Sequence, residues 1–206
     1  MLIIGLAGGS GSGKGVVCSL LSQRGLKIID TDKIYKKMTA PGGICLPLLA
    51  EKFGFDIILA DGSLNRKALA KIVFAGEGHT ERKRTLEKIT HKLILDETRD
   101  RIAVYKSEGV PAVVIDAPLL FESGFDKECD ILVGVIADEQ IRINRIIERD
   151  GLTEEQANQR IAAQLTNEYI KEHSDHTILN NGSIEELELQ VSHLYDKLLF
   201  NEETNK

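Results

Sequence analysis

A short apolar run, Leu2-Ile3-Ile4-Gly5-Leu6, leads into Gly8-Gly9-Ser10-Gly11-Ser12-Gly13-Lys14-Gly15, and Val16, Val17, Cys18, Leu20 and Leu21 follow at helical spacing. A buried strand, a glycine-rich turn, a lysine and a helix are the context in which a G-x-x-x-x-G-K pattern binds phosphate. Glycines let successive backbone N–H groups curl around a polyphosphate. The helix N-terminus adds unpaired donors and partial positive charge. Lys14 supplies a full cation. A flexible Gly/Ser linker has a similar composition, but a linker is not flanked by a strand and a helix at the start of a chain. The pattern asks for Ser or Thr after the lysine, and here the residue is Gly15.

A chain of 206 residues without a long linker reads as one compact unit or a core with insertions, large enough to need no staples. The net charge is −6, there is no Trp, and no Lys/Arg-rich block stands out, which argues against nucleic acid as a partner. A mildly acidic protein that binds a polyanion must gather positive charge locally. Cys18, Cys45 and Cys129 are odd in number and form no C-x-x-C pair, which fits a reducing compartment rather than disulfides or zinc. Nothing resembles a signal peptide, and no apolar segment approaches membrane-spanning length. The expectation is a cytoplasmic protein that does not engage membranes.

Along the chain, Lys27–Asp30 reads as a second strand after a helix stop at Gly25. A short helix through Ile34, Tyr35 and Met38 is broken by Pro41-Gly42-Gly43, and a helical stretch runs from Leu46 to Phe53. Residues 61 to about 106 carry helical patterns with no strand between them, as in an insertion. Pro111–Asp116 reads as a β-branched strand ending in an acid, and the continuous apolar run Ile131–Ile136 as a strand covered on both faces. Asp138 is placed as the cap of the next helix. Thr153-Glu154-Glu155-Gln156 and Ser183-Ile184-Glu185-Glu186 are capping boxes, with a last strand at His176–Leu179 between them and fraying expected from Asn201. Strands alternating with helices predict an α/β fold, a parallel sheet with helices on both faces.

Four places narrow the chemistry. Asp32 lies two residues past the second strand, at the sheet edge where ligands sit. It suits a base for an attacking hydroxyl, a metal ligand or a helix cap, whereas Asp30 suits a cap first. Asp116 ends the third strand, as a metal-orienting carboxylate or a strand-end turn residue. Arg142, Arg145 and Arg149 share one helix face, with Arg160 able to join them; they suit phosphate, or a solvated face paired with Glu139 and Glu148. Arg66 and His91 mean little alone, since a lone His in an apolar helix is usually a core residue.

Together these residues resemble the dephospho-coenzyme A kinase family nearly end to end. Gly5–Lys14 resembles its phosphate loop, Ile29-Asp30-Thr31-Asp32 its D-x-D segment, and Asp61–Leu69 with Phe74 its D-G-x-L-x-R-x-x-L insertion. Asp116–Glu122 resembles its P-L-L-F-E run. Arg145, Arg149-Asp150 and Gln164 resemble its lid, and Asn180-Asn181-Gly182 its adenine-side turn. Two departures are Gly15 for Ser or Thr, and Lys92 where Pro commonly follows the insertion histidine.

The resemblance implies a P-loop NTPase-like three-layer fold over 1–206, with a helical acceptor-binding insertion at about 61–106 and a lid at about 138–165. It implies transfer of the γ-phosphoryl of ATP to the 3′-hydroxyl of dephospho-coenzyme A, with Mg²⁺. Asp32, Lys14 and Arg145 would be catalytic. ATP would meet Gly11, Ser12, Gly13, Lys14, Gly15, Val16, Arg145, Arg149, Asn181 and Gly182. The acceptor would meet Asp32, Arg66, His91 and Leu119, and Mg²⁺ would meet Asp32 and Asp116. ATP and dephospho-coenzyme A are the expected partners of a monomer or weak homo-oligomer. Two rival readings stand: another small-molecule or nucleoside kinase, and a non-catalytic nucleotide-binding regulator marked by Gly15.

Overall fold

The computed structural model describes residues 1–200. The expected fraying from Asn201 lies outside the described residues. The chain divides into two compact units, residues 1–29 with 104–206, and residues 30–103.

The first unit is built on a five-stranded sheet ordered β2-β3-β1-β4-β5. The strands are β1 (Leu2–Ala7), β2 (Lys27–Asp30), β3 (Ala112–Asp116), β4 (Ile131–Ile136) and β5 (His176–Leu179). β1 pairs in parallel with β3 and β4, and β4 with β5, in a register that sets Leu6 opposite Asp116. On one face Ile4, Leu6, Val114, Val133 and Val135 share a core with α1 (Lys14–Gln23) and α9 (Ile184–Phe200). Alternate residues point the other way. There a side chain at Gly5 would strike Leu120 and Leu132, and one at Gly134 would strike Ile170 of α8 (Asn167–Glu172). Both faces are therefore covered, as the continuous apolar strands require. α6 (Glu139–Asp150) and α7 (Glu154–Ala162) form a smaller cluster around Ile143, Ile146 and Ala157. The Thr153–Gln156 capping box forms with both hydrogen bonds. Asp138 does not cap α6 with its side chain. Its backbone N–H instead donates to Asn181 Oδ1 at 2.8 Å, which turns the cap residue toward the β5 end.

The second unit contains α2 (Thr31–Met38), α3 (Cys45–Phe53), α4 (Arg66–Phe74) and most of α5 (His79–Ser107), with no strand among its described residues. Within it the single turn Phe55–Ile57 packs against both α3 and α4.

Cys18 and Cys45 are buried and Cys129 is half-buried, and none forms a disulfide. Burial pushes the Cys45 thiol up to about 11 and the Cys129 thiol up to about 12, with Asp126, Asp130 and Glu128 adding to the latter. Among the described residues no helix is long and apolar enough to cross a membrane.

Candidate active site

The glycine-rich loop leaves the carboxyl end of β1 and turns into α1 at Lys14. Gly13 stands at the helix start with φ 93°, in the left-handed region, and a side chain there would meet Asn180 Nδ2 at 2.0 Å. Only glycine satisfies both the turn and the contact. Asn180 is buried, and that amide donates to Ser12 O at 2.8 Å while its own N–H donates to Ile136 O. The turn after β5 thus anchors the loop from below. Ser12 is fully buried, and its hydroxyl turns inward, 2.8 Å from where a Gly8 Cβ would sit. Any contact of Ser12 with a ligand runs through its backbone.

Lys14 donates to Asp116 Oδ1 in an ion pair whose side chains are 14% and 18% exposed. The register predicts the meeting, since Asp116 lies beside Leu6 and the loop starts two residues later, at Gly8. The structure therefore brings the loop lysine and the β3 carboxylate together. Among the described residues no group of three or more acidic, His or Cys side chains could hold a metal. One carboxylate beside a phosphate loop still fits Mg²⁺, which keeps several waters and takes its remaining oxygens from phosphate. It does not fit a resident transition metal. At Gly15 no atom lies within 4 Å of the position a Cβ would take, and the φ is not positive, so the missing hydroxyl has room.

The arginine stripe does not act as one surface. Arg145 Nη1 donates to Gly11 O at 3.3 Å and to Asn180 O at 3.1 Å, which places it against the loop. Arg149 lies further out and grips Asp150 through two hydrogen bonds of 2.8 Å, and Arg160 joins the same carboxylate. Arg142 is buried. Asn181 accepts from Asp138 N, and a side chain at Gly182 would strike Glu186. Val16 and Leu119 are exposed, Leu119 in the turn after β3.

The Arg149 hydrogen bonds, helped by Arg160, hold the Asp150 carboxyl down to about 2. A depressed folded value means the contribution is complete above the ordinary carboxylate range and is lost as pH falls through about 2. A carbon-detected NMR titration of Asp150 is expected to show its midpoint near 2. A midpoint in the ordinary range would show that the arginine clamp does not persist in solution.

In the second unit Asp30 caps α2, accepting from Lys33 N at 2.9 Å. That assignment takes the cap role from Asp32, which stands exposed in the first turn of the helix. Arg66 opens α4, lies 5.2 Å over the Tyr35 ring and donates to Thr39 Oγ1 at 3.3 Å. It is thereby tied to the helix that carries Asp32. His91 is half-buried on α5, so it is not a sequestered core histidine. Residues that the sequence did not single out as loop supports are Gln164, which accepts from Ser10 N at 2.9 Å, and Asn180. The N-N-G turn was the available signal for Asn180; no local signal pairs positions 154 residues apart.

A family model described as dephospho-CoA kinase matches residues 2–186. A dephospho-CoA kinase of Corynebacterium glutamicum is 39% identical over 199 residues, covering 97% of this chain and 98% of its own. A solved structure of TT1252 from Thermus thermophilus superposes with a TM-score of 0.80 at 29% identity, covering 96% of this chain and 97% of that one. A dephospho-CoA kinase structure from Campylobacter jejuni gives 0.71 at 23% identity over 96% of each chain, a likeness of fold.

Proposed function

Because the chain belongs to the dephospho-coenzyme A kinase family, and is an ATP-dependent dephospho-coenzyme A kinase, we propose that its glycine-rich loop and Lys14 hold the phosphates of ATP while Asp32 receives the proton of the acceptor's 3′-hydroxyl. The observation that carries this reading is the Lys14–Asp116 pair at the mouth of the loop. It sets a cation for phosphate beside the carboxylate that phosphoryl transfer needs near its metal. Phosphoryl transfer asks the protein for position and charge neutralisation more than for covalent chemistry. Loop N–H groups from Gly11 to Val16 face the phosphates, and Arg145, with Arg149 released from Asp150, meets the charge that develops on the transferred group. Asn181 and Gly182 border the base. Arg66, His91 and Leu119 contact the acceptor. Asp116 and Asp32 would hold Mg²⁺, which when bound neutralises charge on the phosphates. We assign the protein to the cytoplasm as a monomer or weak homo-oligomer.

The test is ADP formation with dephospho-coenzyme A, nucleosides and shikimate as acceptors. Turnover confined to dephospho-coenzyme A supports the reading, and preference for another acceptor overturns it. The insertion resembling D-G-x-L-x-R argues against other kinases, and the Lys14–Asp116 pair argues against a decayed site.

Gly15→Ser is expected to lower the Mg²⁺ concentration for half-maximal ADP formation and to raise the melting temperature without ligands, since Ser exceeds Gly in a helix by about 0.5 kcal/mol. The open space at this position removes the steric objection. Coincident Mg²⁺ titrations would show that Gly15 does not leave the metal short of an oxygen.

A further inference from the structure

Among the buried polar side chains of the described residues, Arg142 is the one that carries a charge, and it is only 3% exposed. Its partners are all neutral. Nε donates to Ser10 O at 2.9 Å, Nη1 to Asn167 Oδ1 at 3.3 Å and Nη2 to Gln164 Oε1 at 3.2 Å. Gln164 in turn accepts from Ser10 N at 2.9 Å and donates to Ser10 Oγ at 3.1 Å. Every polar group of Ser10 is therefore held, two by Gln164 and one by Arg142.

The glycines beside Ser10 are explained by the same residue. A Cβ at Gly9 would crowd Arg142 Nη2, and one at Gly11 would lie 2.6 Å from Arg142 O. Two glycines of the phosphate loop thus make room for Arg142. Burial pulls the guanidinium below its ordinary value, and Glu139, one turn earlier, offsets this only in part. A buried cation among neutral dipoles is costly. The cost falls when an anion arrives close by, and by reciprocity the anion then binds more tightly.

We propose that Arg142 is a positioning residue of the phosphate site, which fixes Ser10 directly and through Gln164 and lends the loop a buried positive charge that the polyphosphate of ATP neutralises. The inference rests on the kinase reading above. A purely architectural role would instead lower the stability of the ligand-free protein and leave ATP affinity untouched once folded.

The experiment measures ATP affinity by calorimetry, KM and kcat with dephospho-coenzyme A, and ligand-free melting temperature for wild type, Arg142→Gln and Arg142→Lys. Arg142→Gln keeps a neutral donor for neutral acceptors and removes the charge. Arg142→Lys keeps the charge and loses the fork. Arg142→Gln is expected to weaken ATP binding and raise KM for ATP by about tenfold or more, with kcat changed less than about threefold. Arg142→Lys, which keeps the charge but not the fork, is expected to lose ATP affinity by at least about threefold less than Arg142→Gln. Equal losses in both variants overturn the proposal, as does unchanged affinity in Arg142→Gln. Failure of either variant to fold also overturns it, because hydrogen bonding and not charge would then be what Arg142 supplies. Wild type that binds ATP but leaves dephospho-coenzyme A untouched would instead sink the kinase reading.

Discussion

Lys14→Ala is expected to reduce ADP formation with dephospho-coenzyme A by at least about 10³-fold and to weaken ATP binding, because removal of even one preorganised donor to developing charge costs about 10²–10³-fold. Lys14 is more than one donor. It is the cation at the first turn of α1 and the partner of Asp116. The truncation therefore removes charge from the phosphates and releases the carboxylate beside them toward those same phosphates. Alanine is a good helix former, so α1 should persist. Circular dichroism and melting temperature report the fold, calorimetry reports ATP affinity, and a coupled assay reports ADP. Near-normal turnover in a folded variant would overturn the assignment of the loop.

Asp32→Asn is expected to lower kcat by about 10²–10⁴-fold, the usual cost of losing a general base. ATP affinity should change little, since the substitution keeps shape and takes away proton affinity. The substitution leaves the cap of α2 in place, because that cap is Asp30. Loss of one acidic charge in the first turn costs α2 at most about 1 kcal/mol. Asp30→Ala provides the opposite pattern, with a stability loss of about 1 kcal/mol from the missing cap and kcat largely preserved. If Asp32→Asn turns over like wild type, the acceptor hydroxyl loses its proton elsewhere.

The features legible in the sequence are those encoded by neighbours. Glycine and lysine after an apolar run gave away the loop, β-branched runs gave away β3 and β4, and Thr153 with Gln156 gave away the start of α7. Asp30 and Asp32 were separable because a cap and a first-turn residue differ by position alone. What the sequence hid depends on distant partners. Arg142 shares its helix face with Arg145, and nothing local indicates that one guanidinium is buried under Ser10 while the other reaches Gly11 and Asn180. The same holds for Asp138, whose side chain makes no cap hydrogen bond while its backbone N–H donates to Asn181, 43 residues away. The six-residue α8 carries too short a pattern to be read as a helix beside the strand that follows it.

The three cysteines matter for a reason unconnected with folding. Coenzyme A ends in a thiol, so this enzyme releases a reactive sulfur compound at every turnover and meets its oxidised forms whenever the cell is stressed. Mixed disulfides form by attack of a thiolate. With thiols at about 11 and about 12, Cys45 and Cys129 hold roughly one part in 10⁴ or less as thiolate at neutral pH. Cys18 is buried on the core-facing side of α1. The exchange partner is the oxidised product, coenzyme A disulfide, because a thiol alone forms no disulfide with a protein thiol, and turnover is expected to withstand incubation with that disulfide at a concentration that inactivates an enzyme bearing an exposed, ionised cysteine.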